Sequence, residues 1–353
     1  MKVAIYTLGC KVNQYETQAM ERELLRRGHT LTDFDGVADA YIVNTCSVTA
    51  VSDKKSRQMI RRCRKQNPEA VVAACGCYVQ THPEEAAGLD MDLIAGTGDH
   101  MAFLDLLEQE WAQRRGSTLL DDALRRRRFE ALPGGGMASR TRAMLKVEDG
   151  CVNFCTYCII PFARGPVRSL PLAEAVAETA RLAAEGYREL VLTGIEISSY
   201  GSDFKDGTTL TDLLEAISPA AGEMRIRLGS LEPRTITEDF CRRCGFADMH
   251  IFPYSIRPGT KAAAMPQVSG PMKERRAAQA AEAAREMHQR YLNSCVGTRC
   301  AVLFEQPGED GRYHGHSADY MEVAVAGTGL HNKMLTVEIT GIDGEILVGE
   351  VVQ

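Results

Sequence analysis

The chain has 353 residues, 44% of them hydrophobic and 25% charged, and its formal net charge is −6. This length predicts two or three domains, and the composition is ordinary for a soluble globular protein. The apolar runs are of strand length, far from the roughly 20 residues of a membrane span. The start, MKVAIYTLGC, is no secretory signal. We therefore expect a cytoplasmic protein with no membrane partner.

Residues 1–115 alternate between strand-like and helix-like segments. Strands are predicted at KVAIYTL, AYIVNTC, AVVAACGC and MDLIAG. Helices lie between or after them, the first with Asn13 as its N-cap. Alternation at this spacing predicts an α/β fold, in which a doubly wound parallel sheet carries helices on both faces.

Three cysteines, Cys10, Cys46 and Cys77, each follow a predicted strand, and we call them the strand-end triad. Ligands of such sheets gather at the carboxyl ends of the strands, so we expect the triad to meet at one edge. The competing interpretation is three buried structural thiols. Cys75 forms C-x-C with Cys77, and we expect only one of these two at the edge.

The basic residues are clustered, although the chain is acidic overall. One cluster is KKSRQMIRRCRK on a predicted helix, and the other is Arg125–Arg128. Such patches can bind phosphates on an acidic protein, because screening limits the reach of charge to about 8–10 Å. A solvated helix face is an equally good interpretation of each patch.

The remaining chain divides into four segments. Residues 116–140 mix charge, proline and three glycines and are predicted to be a linker. Strand and helix patterns return over 141–270, and 271–295 is a long alanine-rich helix. Short strands separated by glycine-rich turns over 296–353 predict a small all-β barrel. Barrels of this kind often hold nucleic acid, and a structural cap or a dimerisation piece is the alternative.

A second group of cysteines, Cys151, Cys155 and Cys158, forms a C-x3-C-x2-C run. Iron–sulfur cubes are held by cysteine thiolates, so three cysteines leave one of four irons open. Structural zinc requires a fourth ligand, and catalytic metals keep a vacant position. His250 is distant in sequence and lies in a predicted strand. The run therefore predicts a [4Fe–4S] cluster with an open iron.

Seven segments carry a longer pattern, in chain order TLGCKVNQYET, VNTCSVT, GCYVQ, CTYCIIPFARGPVRS, TGIEISSYG, LGSLEPR and FEQPGEDGRYHGHSADYMEV. Together they resemble the radical S-adenosylmethionine tRNA methylthiotransferases, and most closely the branch acting on N6-threonylcarbamoyladenosine beside the anticodon. The resemblance covers the whole chain. It implies an amino-terminal methylthiotransferase domain, a central radical domain and a carboxyl-terminal TRAM domain that binds tRNA.

The resemblance implies the chemistry as well. Cys151, Cys155 and Cys158, which we call the radical triad, would hold a cluster whose free iron binds S-adenosylmethionine. This gives a 5′-deoxyadenosyl radical that removes hydrogen from C2 of adenosine 37. The strand-end triad, with Cys77 chosen over Cys75 because it lies in GCYVQ, would hold a second [4Fe–4S] cluster that carries the inserted sulfur. A second S-adenosylmethionine supplies the methyl group. The partners implied are tRNA and an electron donor such as flavodoxin or ferredoxin.

The same resemblance implies cofactor contacts. Tyr157 lies within the radical-triad loop and is expected near the adenine or the iron. Gly194 and Glu196 occupy the loop that approaches the amino group of S-adenosylmethionine, and a capping or rim carboxylate is the alternative for Glu196. Ser230 and Glu232 end the next strand, where the active sites of such barrels lie.

Two further sets are expected to meet the substrate. A bidentate arginine suits a cofactor or threonylcarbamoyl carboxylate, and the candidates are Arg164 and Arg168. Rings and donors in the barrel segment suit an RNA surface, with a solvated barrel face as the alternative. That barrel set is Arg312, Tyr313, His314, His316 and Tyr320.

The radical domain is short for its family. Four strand candidates fill the available length, whereas the family builds six, so about two strands are expected to be absent between CRRC and DMHIFPYSIRPGT. This leaves open a non-catalytic remnant that holds iron–sulfur clusters and tRNA. No role is assigned to the remaining cysteines, which are Cys63, Cys75, Cys241, Cys244, Cys295 and Cys300.

Overall fold

The computed structural model describes residues 1–134, 142–155, 158–229, 231–232, 236–249, 251 and 265–352. The chain divides into two units, Met1–Pro233 and Arg234–Gln353. Among the described residues, no helix combines the length and the apolar character that a membrane crossing requires.

The first unit begins with a six-stranded sheet. Its strands are Lys2–Thr7 (β1), Thr30–Thr32 (β2), Ala40–Thr45 (β3), Val71–Gly76 (β4), Leu93–Ala95 (β5) and Ser117–Leu119 (β6). Every neighbouring pair is parallel, in the order β2-β1-β3-β4-β5-β6. The central strands β3 and β4 are buried along their whole length, which explains their continuous apolar runs. The predicted parallel α/β sheet is confirmed.

Five helices cover this sheet: Lys11–Arg26 (α1), Ala50–Gln66 (α2), Cys77–Thr81 (α3), Pro83–Ala87 (α4) and His100–Gln113 (α5). Side chains of α1 and α5 pack with one set of strand residues, and those of α2 to α4 pack with the alternate set, as strand alternation requires. Helix α1 starts one residue after Cys10, which is its N-cap. Asn13, predicted to be that cap, lies inside the first turn and is buried.

The segment predicted to be a linker is packed as far as residue 134. It supplies β6 to the sheet edge and then a short 3-10 turn, Ala123–Arg125. The hydroxyl of Tyr15 donates to the carbonyl of Leu132, and Arg22 donates to the carbonyl of Gly134 at 2.9 Å. Composition indicated a free segment, but these pairings tie its backbone to α1. Residues 135–141 lie outside the described residues.

The rest of the first unit is a smaller α/β region. Its elements are strands Arg142–Lys146 (β7), Glu148–Asp149 (β8), Arg168–Ser169 (β9), Glu189–Thr193 (β10) and Arg225–Leu228 (β11), and helices Ile160–Arg164 (α6), Leu172–Ala184 (α7) and Leu210–Ala221 (α8). Strands β11-β10-β7 form a parallel sheet, and β8 pairs with β9 antiparallel. Of the four predicted strands, the described residues contain three. Most of the fourth, DMHIFPYSIRPGT, lies outside them.

The second unit ends in a closed barrel. Its elements are helices Glu238–Cys244 (α9) and Gly270–Cys295 (α10), and strands Arg299–Pro307 (β12), Tyr313–Ser317 (β13), Glu322–Val325 (β14), Met334–Asp343 (β15) and Ile346–Val351 (β16). The strand order is β12-β13-β14-β16-β15. Val302 and Phe304 are fully buried in the barrel core, whereas Leu303 between them is 43% exposed. The predicted small all-β barrel is confirmed.

Because burial alternates along β12, truncating two neighbouring side chains should lower the free energy of unfolding by different amounts. Phe304→Ala removes a buried ring and should lower the free energy of unfolding by roughly 3–5 kcal/mol. Leu303→Ala is the matched control and should cost less than about 1 kcal/mol. Urea unfolding of the full chain, followed by far-ultraviolet circular dichroism, measures both. Equal losses would contradict the inward orientation of Phe304.

Candidate functional site

The strand-end triad lies at the carboxyl ends of three neighbouring strands. Strands β1, β3 and β4 are adjacent in the sheet, and each is followed within three residues by one of the three cysteines. Cys10 is exposed, whereas Cys46 and Cys77 are buried. The structure therefore gathers the three thiols at one edge, with one of them open to solvent.

Two glycines make this close approach possible. Gly9 has φ +106°, and a Cβ at this position would lie 2.9 Å from the Sγ of Cys46. Gly76 has φ +98°, and its Cβ would lie 2.5 Å from the carbonyl oxygen of Thr45. Only glycine fits such positions without strain. The Gly-Cys pairs of the sequence therefore reflect a geometric requirement at the strand ends.

Asn13 ties the strand ends together. Its Nδ2 donates to the carbonyl of Leu8 at 2.8 Å and to that of Thr45 at 2.9 Å. Its Oδ1 accepts from Arg164 Nη2 at 2.7 Å and lies 3.7 Å from the Sγ of Cys10. Sequence reasoning gave Asn13 a capping role, and its actual role depends on partners that are distant along the chain.

Cys75 and Cys77 occupy different environments. Cys75 is still within β4 and packs in the core beneath α1 and α5, where burial raises the pKa of its thiol. Cys77 has left the strand and is the first residue of α3. Burial raises the pKa of the Cys77 thiol to about 11, although the neighbouring guanidinium of Arg164 opposes the rise. Cys63 is also a core thiol, 3.2 Å from the carbonyl oxygen of Met59.

The radical triad lies on the loop between β8 and α6. Cys155 is exposed, and Cys151 and Cys158 are half-buried. The backbone N–H of Cys151 donates to the carbonyl of Gly165 at 3.0 Å, and that of Cys158 donates to Cys155 at 2.8 Å. The loop is thus anchored at the end of α6. Tyr157 lies outside the described residues.

The donor set of each triad is the one that holds iron–sulfur clusters, which are bound by cysteine thiolates. Among the described residues, no three histidine, cysteine or acidic side chains surround one metal position. Each triad has one exposed member, Cys10 or Cys155, and so reaches solvent.

Exposed apolar side chains flank the radical triad. Phe154 is 50% exposed and has φ +43°, and Phe162 is 52% exposed. Their rings meet edge to face with centroids 5.8 Å apart. Val152 is also exposed. Sequence reasoning passed over these residues, although an aromatic ring between metal-ligating cysteines is a recognisable signal.

A buried carboxyl group supports the loop that contains Gly194. Glu148 Oε2 accepts from the backbone N–H of Glu196 at 2.7 Å, and a Cβ on Gly194 would lie 2.7 Å from the same oxygen. Within the described part of the chain, Glu148 Oε1 has no hydrogen-bond partner. Burial raises the pKa of Glu148 well above its usual range.

Glu196 and Glu232 have defined local partners. The side chain of Glu196 accepts from the backbone N–H of Ser198 at 3.2 Å and caps a short 3-10 turn. A capping carboxylate is the alternative that the sequence offered for Glu196. Glu232 Oε1 accepts from Asn153 Nδ2 at 3.1 Å, so it reaches the radical-triad loop. Ser230 lies outside the described residues.

Arg164 and Arg168 meet carboxylates of the chain itself. Arg164 is fully buried and donates to both carboxylate oxygens of Glu16, to Oε2 at 3.1 Å. Arg168 is also buried and lies 3.0 Å from Asp149 Oδ2. Lys146 Nζ lies 3.3 Å from Glu16 and 3.4 Å from Asp149. The expected contact with a substrate carboxylate is therefore replaced by an internal charge network, because both guanidinium groups are buried and engaged.

This network connects the two cysteine triads. Burial disfavours the charge of Glu16, but Arg164 and Lys146 outweigh it and hold the pKa of Glu16 well below its usual range. Arg164 ends α6, the helix that follows the radical triad, and α6 packs against α3, which begins with Cys77. Thr97 adds a hydrogen bond of 2.6 Å to the carbonyl of Ala163. The loops that contain the two triads therefore share one base of buried contacts.

The donors predicted for an RNA surface on the barrel are paired with acids. Arg312 lies 2.6 Å from Asp310 and 2.7 Å from Asp343. His314 lies 2.6 Å from Glu322 and 3.1 Å from Asp310, and the hydrogen bond to Glu322 raises its pKa. These cations are compensated, so this part of the barrel does not present free positive charge to phosphates.

The remaining members of that set differ in exposure. His316 lies 3.8 Å from Glu305. Tyr313 is half-buried and packs against the barrel core. Tyr320 is 61% exposed with φ +62°, so its ring is accessible for stacking.

The four other cysteines belong to the second unit. Cys241 is buried in α9, with its Sγ 4.0 Å from the sulfur of Met249. Cys244 is half-buried in the same helix. Cys295 and Cys300 pack against the barrel core. Their surroundings are those of ordinary structural thiols.

Two family models match the chain. Residues 2–96 match a family described as uncharacterized protein family UPF0004, and residues 145–310 match the radical SAM superfamily. Among solved structures, the chain resembles the radical S-adenosylmethionine methyltransferase TsrM from Kitasatospora setae, with a TM-score of 0.48 and 15% identity over 81% of this chain and 66% of that chain. That likeness is too distant to support any inference about the site.

Curated relatives are more similar. The chain is 32% identical to threonylcarbamoyladenosine tRNA methylthiotransferase MtaB of Bacillus subtilis, over 92% of this chain and 90% of that protein. The MtaB proteins of Aquifex aeolicus and Thermotoga maritima are both 36% identical, over 69% and 68% of this chain. The chain spans only 59% and 54% of the lengths of those two proteins.

The Bacillus subtilis alignment also measures the shortening. It spans 408 positions, whereas 92% of this chain is about 325 residues. About 80 positions of that relative therefore have no counterpart here, the difference between those two figures. A β-α unit takes roughly 30 residues, so this loss accommodates the two units expected to be absent.

The buried network predicts a large effect of Arg164→Ala. The substitution leaves Glu16 buried without its main partner, and it should lower the free energy of unfolding by roughly 3–5 kcal/mol. Arg62→Ala breaks the exposed pair with Asp35 and serves as control, with an expected loss of less than about 1 kcal/mol. Urea unfolding of the metal-free chain, followed by Trp111 fluorescence, compares the two. Similar small losses would rule out a structural role for Arg164.

The His100 environment predicts a pH dependence. Burial lowers the pKa of His100, but the carboxylates of Glu130 and Glu16 outweigh it and raise the pKa to about 9. A raised folded pKa stabilises the chain fully below the unfolded value near 6.5, and this stabilisation is lost as pH rises through 9.

The test compares the unaltered chain with His100→Gln. The difference in their free energies of unfolding should fall by about 3 kcal/mol between about pH 6 and about pH 9.5. Urea unfolding at several pH values in this window gives the difference directly, and titrations common to both proteins cancel. Parallel pH profiles would show that His100 is not charged in the folded state.

Proposed function

The chain belongs to the radical S-adenosylmethionine tRNA methylthiotransferase family, in the MtaB branch, and we propose that it methylthiolates N6-threonylcarbamoyladenosine 37 of tRNA at C2. The observation that carries this proposal is the pair of cysteine triads on a shared base. Each triad supplies three thiolates, so each leaves one iron of a cube for a reactant. A module that only bound RNA would have no need of either triad.

The residues present fit two [4Fe–4S] clusters and S-adenosylmethionine. The radical triad would hold one cluster and the strand-end triad the other. When bound, these groups supply the radical that removes hydrogen from C2, the sulfur that replaces it and the methyl group. The protein positions them and excludes water, because the difficult chemistry belongs to the cofactors.

The chain's own residues shape the cofactor end of the site. The buried Glu148 carboxyl group, which accepts from the backbone N–H of Glu196, and the backbone after Gly194 form the rim of this end. Glu232 holds the radical-triad loop through Asn153. These contacts fix the loop before any cofactor binds, which lowers the cost of ordering it.

The rings of Phe154 and Phe162 are suited to bind the substrate base. Their exposed rings lie in and just after the radical-triad loop. A flat base stacks on an aromatic ring with roughly 1–3 kcal/mol of binding free energy. We assign these rings to the target adenine, where they would also exclude water from the reacting carbon.

The barrel of the second unit would be a TRAM domain. Its exposed Tyr320 could stack on a base, whereas its paired donors give little attraction for phosphate. The proposed partners are tRNA and an electron donor of the flavodoxin or ferredoxin class, in the cytoplasm. The non-catalytic alternative is not favoured, because the chain keeps both complete triads and is similar to named methylthiotransferases despite its shortened centre.

Cysteine variants test the proposal after anaerobic reconstitution. The unaltered chain should hold about eight irons, four per cluster, release 5′-deoxyadenosine and form the methylthio product on tRNA. Replacing the radical triad by alanine should abolish 5′-deoxyadenosine release and leave about four irons. Replacing the strand-end triad should leave that release intact and abolish the methylthio product.

Cys75→Ala is the matched control, because Cys75 lies two residues from Cys77 but packs in the core. It should retain both clusters and both activities, whereas Cys77→Ala should lose the second cluster. Iron counting, electron paramagnetic resonance and mass spectrometry of tRNA nucleosides provide the readouts. Zinc in place of iron, or clusters without any 5′-deoxyadenosine release, would refute the proposed activity.

A further inference from the structure

Helix α2 carries an unusual concentration of positive charge. Its 17 residues contain seven lysines and arginines and one acid, Asp53, so its formal charge is +6. The whole chain carries −6, and the rest of the chain is therefore −12 by difference. The helix is a local cationic element on an otherwise acidic protein.

The seven cations of α2 divide into three groups. Three arginines bind carboxylates of neighbouring elements: Arg57 with Glu85, Arg62 with Asp35, and Arg64 with Asp90 and Asp92. Lys55 lies over the ring of Tyr6, with its Nζ 6.0 Å from the ring centroid. The third group is Lys54, Arg61 and Lys65, which are exposed. Among the described residues, none of these three has an ion pair or a hydrogen bond from its side chain.

The three unpaired cations form a line along the helix. With 3.6 residues per turn, positions 54, 58, 61 and 65 fall on one stripe, and Gln58 fills the remaining position. The buried residues Ser56, Met59, Ile60 and Cys63 lie on the opposite side. We call Lys54, Arg61 and Lys65 the α2 stripe. It is about 16 Å long at 1.5 Å per residue, which spans several nucleotides of a nucleic-acid backbone.

This arrangement costs stability without contributing to the fold. Arg61 and Lys65 are like charges at i and i+4, and such pairs destabilise a helix by a few tenths of a kcal/mol. A solvated helix face usually mixes both signs, whereas this face contains no acid between residues 54 and 65. A binding partner of opposite charge would explain why this helix face contains only positive charges.

The stripe begins near the proposed site. Helix α2 starts just after Cys46, with Thr49 as its N-cap. Lys54 lies in the second turn, so the stripe runs away from the edge where the strand-end triad meets. One end of a polyanion bound along the stripe would therefore lie near this edge of the sheet.

We propose that the α2 stripe binds the phosphate backbone of the substrate tRNA, an inference that rests on the proposed function and assigns part of its substrate surface. Phosphate contacts give affinity and orientation without sequence reading. They also make binding fall with salt, because each neutralised phosphate releases counterions. The N-terminal sheet domain would therefore hold tRNA electrostatically, where the paired donors of the barrel cannot.

The test is the salt dependence of tRNA binding. The triple variant Lys54→Gln, Arg61→Gln, Lys65→Gln keeps good helix formers and removes three charges. The slope of log affinity against log salt should fall in magnitude by about 2–3, roughly one for each lost phosphate contact. Affinity at about 0.1 M salt should fall at least about tenfold. Fluorescence anisotropy with labelled tRNA measures both quantities.

A charge-matched control uses Lys2→Gln, Arg26→Gln and Arg115→Gln. These residues are exposed at the start of β1, at the end of α1 and after α5, and α1 and α5 pack on the face of the sheet opposite α2. The control should keep the slope of the unaltered chain. A stripe variant with an unchanged slope, or a control with the same reduction, overturns the inference.

Failure of this inference can be distinguished from failure of the proposed function. The stripe variant keeps every cluster ligand, so after reconstitution it should hold the same iron content as the unaltered chain. If the unaltered chain forms product and the slopes are equal, only the stripe assignment fails. If the unaltered chain neither binds tRNA nor forms product, both proposals fail.

Discussion

The buried ion pair between Glu16 and Arg164 is the interaction on which the first unit depends. Both side chains are fully buried, and they join α1, at the strand-end triad, to the helix that follows the radical triad. Buried charges require close partners, because the interior cannot solvate them. Lys146, Asp149 and the amide of Asn13 complete the pairing. Two groups of thiols that are more than 70 residues apart in sequence are thus held on one base.

The positions of the thiols depend on a second constraint. The backbone next to Cys10 and Cys77 passes so close to neighbouring residues that no side chain fits there. Gly9 and Gly76 precede Cys10 and Cys77 with positive φ, and a side chain at either position would collide with the neighbouring strand end. Cys75 differs from Cys77 for the same geometric reason, because Cys75 remains within β4 and its side chain packs in the core. Placement at a strand end, more than the cysteine itself, separates a candidate ligand from a structural thiol.

Charge is distributed unevenly between the proposed RNA-binding surfaces. On the barrel, Arg312 and His314 face Asp310, Asp343 and Glu322, so positive residues do not create a positive surface. On α2, several cations have no such partner. Counting basic residues in a segment therefore says little about phosphate binding until the acids contributed by other elements are known.

The sequence by itself determined the parallel sheet, the closed barrel and the C-x3-C-x2-C run, because periodicity and short spacings are local properties of the chain. Tertiary structure decided everything that depends on a distant partner. It packed the predicted linker against α1, moved Asn13 from a cap to a tie between strand ends, and turned Arg164 and Arg168 from substrate contacts into an internal network. The physical reason is that the role of a polar side chain is set by burial and by the opposite charge it meets, and both come from residues far away in sequence.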